Sequence, residues 1–149
     1  MTGLLLVVAI AGRRVALPAS EVHSVIELDA PSPIPRAPAH VAGLSALRSR
    51  VLTVVDCRAS LELAPEPGAP AVRPKAAVVE FEGHLYALLV DAVEDVAEAR
   101  SDCLPLRTAL GRGWDRVALG MVESDAGPLL LVGVAGLIAG PGDPCIKAA

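Results

Sequence analysis

Two aspartates close apolar, strand-like runs in this chain: Asp56 follows Val54-Val55, and Asp91 follows Leu89-Val90. Carboxylates delivered by matched β-lobes can form a pair that shares one proton, because two like charges at close range cannot both ionise. Such a pair activates water for peptide hydrolysis, but it sits in Asp-Thr/Ser-Gly turns. The residues here are Asp56-Cys57-Arg58 and Asp91-Ala92-Val93. The two aspartates also hold different places in the internal repeat of the chain, where Asp91 falls opposite Ser20. Their expected role is to cap turns after strands.

The other reactive side chains form no catalytic set either. Arg58 beside Cys57 could lower a thiol pKa, yet no general base accompanies it, so the cysteine reads as structural. Cys57, Cys103 and Cys145 are odd in number, widely spaced and without a C-x-x-C pair, which points to reduced thiols. His23, His40 and His84 do not fall at ligand spacing with one another or with the cysteines, so no metal site is expected. Gly111-Arg112-Gly113 lacks the strand, third glycine and helix of a phosphate-binding loop, and no serine sits in a G-x-S-x-G elbow. Glu94, Asp95 and Glu98 read as a solvated acidic face. The chain is expected to be a non-enzyme that needs no cofactor.

Composition limits the remaining classes. A chain of 149 residues fits one domain, or two small subdomains with a common core. Hydrophobic residues make up 53% but aromatics only 2%, namely Phe81, Tyr86 and Trp114, so the core must be aliphatic. Few aromatic platforms and a net charge of -4 argue against nucleic-acid binding. Mean hydropathy is +0.54, yet the apolar runs Leu4 to Ala11 and Leu129 to Ala139 fall short of the roughly 20 residues that span a bilayer. Arg13 and Arg14 follow the first run instead of preceding it, unlike a signal peptide. A cytoplasmic protein without membrane insertion is expected.

The elements that would position these residues are short strands. Leu4 to Ile10 reads as a strand, turning at Gly12-Arg13-Arg14 into Val15-Ala16-Leu17, which Pro18 stops. Ala19 to Ile26 fits one helical turn that becomes a strand by Val25. Pro31, Pro33, Pro35 and Pro38 force an extended crossing, and Val41 to Asp56 (VAGLSALRSRVLTVVD) then holds an arginine pair, Arg48 and Arg50, before a β-branched strand. Cys57 to Leu63 reads as a turn or short helix, and Ala64 to Pro74, with four prolines, as a stiff connector. Strands restart at Ala76 to Phe81 and, after a Glu82-Gly83-His84 turn, at Leu85 to Val90. Asp91 to Val96 is a polar–apolar mixture, Arg100 to Trp114 is irregular, and Val117 to Val122 with Leu129 to Val134 makes a last hairpin before a frayed tail from Gly140.

This order occurs twice. An offset of 71 places Val7, Val8, Gly12, Ala16, Leu17, Val22 and Val25 on Val78, Val79, Gly83, Ala87, Leu88, Val93 and Val96, all identities. An offset of 77 places Gly43, Leu52 and Val55 on Gly120, Leu129 and Val132, and Arg48 on Asp125. The matched glycines weigh most, because tight turns often require positive φ. Duplicated sets of five short strands predict two small antiparallel barrels, about residues 4–63 and 75–140 around the 64–74 connector, with strand exchange between them as a variant. Each is small for a core of its own, so a shared apolar seam including Val22 and Val93 is expected.

Pro18 to Val25, Pro35 to Gly43, Ala46 to Asp56 and Leu88 to Val96 together resemble the CheW-like family. Its motifs are P-x-x-V-x-E-I, P-x-x-P-x-x-V-x-G, N-L-R-G-x-V-x-P-V-x-D-L and V-x-D-x-V-x-x-V. The likeness runs from about Leu4 to Ile138 and leaves no space for a kinase or receiver domain. It implies two SH3-like five-stranded barrels and an adaptor role in bacterial chemotaxis. The implied partners are the regulatory domain of a histidine kinase and the helical tip of a methyl-accepting chemoreceptor, with recruitment to membrane-associated arrays. Carried onto this sequence, the receptor-facing positions are Val22, Ser24, Arg48, Val93 and Val96, and the kinase-facing ones Asp29, Ile34 and Val41. Ser24, Ala46 and Ser49 stand where the motifs have glutamate, asparagine and glycine. A scaffold for a non-chemotactic kinase and a small-ligand-binding β-domain are the other readings; the latter needs a pocket with converging polar groups, and the sequence supplies no obvious set.

Overall fold

A computed structural model describes residues 3–28, 32–38, 40–47, 49–61, 63, 75–101, 103–105, 112–125 and 127–140. The expected 64–74 connector, Cys145 and the tail beyond Gly140 lie outside the described residues. Among the described residues ten strands carry the fold: β1 (Leu4–Ile10), β2 (Arg13–Pro18), β3 (Val22–Glu27), β4 (Val41–Leu47), β5 (Arg50–Asp56), β6 (Lys75–Phe81), β7 (His84–Val90), β8 (Ala92–Glu98), β9 (Ala118–Ser124) and β10 (Gly127–Val132). A 3-10 turn at Ala19–Glu21 leads into β3, and the short helices are α1 (Cys57–Ser60), α2 (Arg112–Val117) and α3 (Val134–Ala139).

The backbone repeats as the sequence does. Strands β1 and β6 match residue for residue at the offset of 71, and β4 and β9 do so at 77. Both first hairpins turn with two consecutive positive φ values, Ala11 (53°) and Gly12 (81°) against Glu82 (52°) and Gly83 (82°). That is the two-residue turn whose twist suits an antiparallel pair. The first turn therefore lies one residue earlier than expected, and the second is one residue shorter; Arg13 and His84 already pair with Ile10 and Phe81. Bulges repeat as well, at His23 in β3 and its counterpart Glu94 in β8.

Two five-stranded sheets result, in the orders β8-β1-β2-β10-β9 and β3-β6-β7-β5-β4. Replacing each strand by its repeat partner converts one order into the other. Each sheet thus combines strands from both halves of the chain: the β1–β2 hairpin lies among strands of the second half, and β6–β7 among strands of the first. The mainly β, two-sheet architecture is as expected, with two refinements. One pairing in each sheet, β2–β10 and β5–β7, is parallel. Those partners come from different halves, so no tight turn imposes antiparallel direction. The sheets are also not closed barrels; isolated bridges at Ala99–Ser124 and Leu104–Met121 bring the ends of the first sheet together, and Ser32–Leu44 does so in the second.

Alternation along the central strands divides the core into three. Leu6, Val8, Ile10, Val15 and Leu17 from one hairpin meet Ala77, Val79, Leu88 and Val90 from the other in a central cluster, joined by Val55, Trp114 and Leu137. Leu5, Val7 and Ala16 point to the opposite side, into a cluster with Ala99, Val122, Leu129 and Leu131. Ala76, Val78, Leu85 and Ala87 do the same in the second sheet, with Leu28, Leu52 and Val54. The shared seam therefore exists, and Val22 and Val93 both pack against it, half-buried.

Two helices replace expected strand or irregular chain. The RGWDRV segment forms α2, anchored by Trp114, which is buried. The last strand ends at Val132, short of the expected Val134, and α3 takes the apolar VAGLIA that begins there. Gly113, part of the glycine pair that failed as a phosphate loop, lies where any Cβ would run into the Leu61 backbone.

Gly120 shows how tightly the crossing segment straps β9. Its φ is +149°, and an added Cβ would strike the Leu104 carbonyl oxygen and come within 2.6 Å of Cys103 Sγ. Gly12, at φ +81°, faces open space. Gly12→Ala should cost only the conformational term, about 1–2 kcal/mol. Gly120→Ala adds overpacking against backbone and should cost about 2–5 kcal/mol. Urea midpoints of the two variants measure the gap, and equal losses would contradict this packing.

Candidate protein-docking surface

The outermost strands β3 and β8, one in each sheet, place four of the expected receptor-facing residues. Val22 and Val93 hold equivalent positions, and each packs against the central cluster from its own sheet. Ser24, half-buried, lies opposite Val78, and Val96, 51% exposed, lies opposite Leu6. Outer strands offer one row of backbone groups that their own sheet does not use. Charges flank them. His23 Nε2 lies 3.0 Å from Glu80 Oε1, and Arg14 Nε 3.0 Å from Glu94 Oε1. Such solvated pairs add little stability and leave polar rims beside the aliphatic positions. Glu94 of the acidic cluster is thus ion-paired, whereas Asp95 Oδ1 accepts the N–H of Val96.

Arg48 and Asp29 lie outside the described residues. The β4–β5 hairpin that carries Arg48 is defined on both sides, with Leu47 paired to Arg50 and Ser49 at φ 68°, a region glycine adopts more readily. Its counterpart in the repeat is occupied differently. Asp125 Oδ1 accepts the Glu98 N–H at 3.0 Å, and the Asp125 N–H donates to the Glu98 carbonyl at 3.3 Å, tying that hairpin to the end of β8. Of the expected kinase-facing residues, Val41 starts β4 opposite Val55 and Ile34 sits in the proline crossing; both are half-buried. Ser32 and Leu44 exchange hydrogen bonds of 2.9 and 2.8 Å and hold that crossing against β4.

Residue-by-residue reasoning missed the exposed aliphatics of this region. Val25 (41%), Leu44 (38%) and Val51 (63%) all face solvent on the second sheet. Alternation supplies the signal for Val51, since Leu52 and Val54 are the inward residues of β5. Nothing local distinguishes Val25, because its exposure follows from β3 being an outer strand.

The candidate catalytic groups take structural roles. Asp56 Oδ1 accepts the N–H groups of Arg58 (3.0 Å) and Ala59 (3.3 Å) and caps α1. Asp91 Oδ2 accepts the Ala11 N–H at 2.7 Å and lies 2.9 Å from Arg58 Nη2, which fastens the first turn to α1. The aspartates thus serve separate hydrogen-bond sets. Cys57 is wholly buried, and burial, reinforced by the charges of Asp56 and Asp91, pushes its thiol far up from the ordinary value of 9.0. Such a thiol supplies no thiolate nucleophile. Among the described residues no group of His, Cys, Asp and Glu could hold a metal ion.

Comparison with known proteins decides the family. The CheW-like domain matches residues 4–141. The chain belongs to the CheW-like domain family. Within it, a protein named "Chemotaxis protein CheW" from Rhizobium meliloti (strain 1021) is 40% identical over 65 residues, 44% of this chain. The chain spans about two fifths of that relative's length, 41%. The scaffolding protein TtCheW from Thermoanaerobacter tengcongensis has a similar fold, with a TM-score of 0.80 over 96% of this chain and 97% of that one at 20% identity. No helix among the described residues of this CheW-like domain is long and apolar enough to cross a membrane.

The buried thiol makes a measurable difference within this CheW-like fold. With iodoacetamide at neutral pH, Cys103 should be alkylated in the native protein and Cys57 only after denaturation, as read by peptide mass mapping. Folding raises the Cys57 pKa, so its contribution is intact below the unfolded value of 9.0 and declines as pH rises above it. Cys57→Ala should therefore lose less stability than the wild type above pH 9.0. Parallel losses would contradict it.

Proposed function

We propose that this protein is a non-catalytic adaptor of bacterial chemotaxis, coupling the cytoplasmic helical tip of chemoreceptors to the regulatory domain of a histidine kinase. The observation that carries the reading is the family match over residues 4–141. The names of the relatives, a chemotaxis protein and a scaffolding protein, agree with it. The surface suits the task. Half-buried Val22 and Val93, with Val96 and Ser24 beside them, offer small aliphatic walls of the kind that receive the apolar face of a helix. Arg48, at the β4–β5 turn, supplies a forked donor for the edge of that contact. Asp29, Ile34 and Val41 are the positions assigned to the kinase contact. The adaptor works in the cytoplasm, recruited to receptor arrays through these contacts, without a cofactor.

Val22 and Val93 are too buried for clean tests, whereas Val96 is 51% exposed, and Arg48 is tested beside it. In pull-downs with a receptor cytoplasmic fragment and a kinase regulatory domain, the wild type should retain both. Arg48→Ala and Val96→Glu should each weaken receptor retention by about tenfold, the loss of one interface anchor, while kinase retention and melting temperature stay as in the wild type. Retention of neither partner by the wild type ends the coupling reading. Retention of the kinase alone marks a scaffold that receives its input elsewhere. A fall of several degrees in Arg48→Ala makes that arginine structural.

A further inference from the structure

The two sheets are related by the repeat, so each serves as a reference for how the other is filled. In the second sheet Leu28 follows β3, is 2% exposed, and packs among Leu52, Val54, Ala76, Val78 and Ala87. Their counterparts in the first sheet are Leu129, Leu131, Leu5, Val7 and Ala16, all members of the equivalent cluster. The counterpart of Leu28 is Ala99. At this one place the second sheet carries a leucine and the first an alanine, while Leu5 and Ala76 are exchanged in the opposite sense.

A cavity of about 470 Å³ opens at that place. Leu5, Ala99, Val122 and Leu131 form its depth, and Leu4, Pro18, Ala19 and Ser20 lie along its mouth. Cys103, held beside Gly120 by the strap across β9, closes one side. The volume falls in the range of small-molecule sites, roughly 300–1,000 Å³, and exceeds what one missing side chain leaves. Among the described residues no charged one lines it, and the only side-chain polar groups are the Ser20 hydroxyl and the Cys103 thiol. An ionised group placed there would lose its hydration with no partner, so the lining selects against carboxylates and amines. Aliphatic surface would be removed from water on both sides of the contact.

We propose that this cavity is a binding site for a small uncharged aliphatic molecule, with its hydrocarbon part against Ala99, Val122 and Leu131 and any hydroxyl at the Ser20 rim. The site opens on the Leu5 side of the first sheet, whereas the docking positions Val93 and Val96 lie opposite Val8 and Leu6 of the central cluster and Ser24 and Val41 belong to the second sheet, so occupancy and partner binding are separable.

The test uses the full chain and 1-decanol, followed by NMR of methyl groups and by calorimetry. Saturable shifts are expected for Leu5, Val122 and Leu131, with those of Leu28, Leu52 and Val54 unmoved. Decanoate should bind at least about tenfold more weakly, because its charge finds no partner in the lining. Ala99→Leu restores the filling seen in the other sheet and should reduce decanol affinity by at least about tenfold. Should that variant not fold, Ser20→Phe, at an exposed rim position, should block the mouth to the same extent. Absence of saturable binding, equal shifts in both clusters, decanoate binding as tight as decanol, or full affinity in both variants would each overturn the proposal.

Discussion

Burial of both faces of two hairpins is the constraint on which this structure depends. The buried residues of β1–β2 and β6–β7 that turn away from their own sheet interior, such as Leu6, Val8, Val15, Ala77, Val79 and Leu88, meet in the central cluster. Neither sheet can present a polar back along these strands, because that back is the seam. The requirement accounts for runs such as LLLVVAI and HLYALLV, which have no polar alternation and raise the mean hydropathy to +0.54 in a chain whose described helices are all too short to cross a bilayer. It also explains why a core with so few aromatics suffices. Closely spaced β-branched chains interdigitate across the seam, and Trp114 is needed only at one end, where α2 packs.

Legibility in the sequence follows the range of the forces involved. Strand positions are local, and most are readable to within a residue or two, as are the first turns, since Gly12 and Gly83 occupy backbone conformations other residues resist. The repeat is readable because these glycines recur at a fixed offset. The helices are not. A six-residue helix has less than two turns in which to show periodicity, so Arg112 to Trp114 reads as irregular and Val117 and Val134 as strand ends. The parallel pairings and the exposure of Val25 depend on which strands become neighbours, and no single stretch encodes that. Among the proposed docking positions, Val22 and Val93 emerge from the repeat itself, whereas the exposure of Leu44 and Val51 becomes visible only once β4 and β5 are paired.

The two halves share a backbone and differ in side chains at a few points, and those differences separate scaffold from surface. Arg48 and Asp125 occupy the same turn, but Asp125 is spent on backbone hydrogen bonds to Glu98. Ser20 and Asp91 are also counterparts. Asp91 locks a turn to α1, and Ser20 remains at an open mouth. Where one copy uses a side chain to finish the fold, the other is released from that duty. Duplication thus leaves one set of positions for architecture and a matched set available for recognition.

The sheet orders carry a consequence for the order of synthesis. The second sheet draws its strands from one unbroken stretch, Val22 to Val90, whereas the first needs β1 and β2 from the beginning of the chain and β8, β9 and β10 from its end. As the chain leaves the ribosome, the second sheet has all its strands before the first does. The opening hairpin must wait, apolar on both faces, with the emerging β6–β7 hairpin to cover one of them and only the last strands to cover the other. Contacts so distant in sequence form slowly. The most hydrophobic segment of the protein is thereby the one held longest without its partners, and the early seam is its shelter.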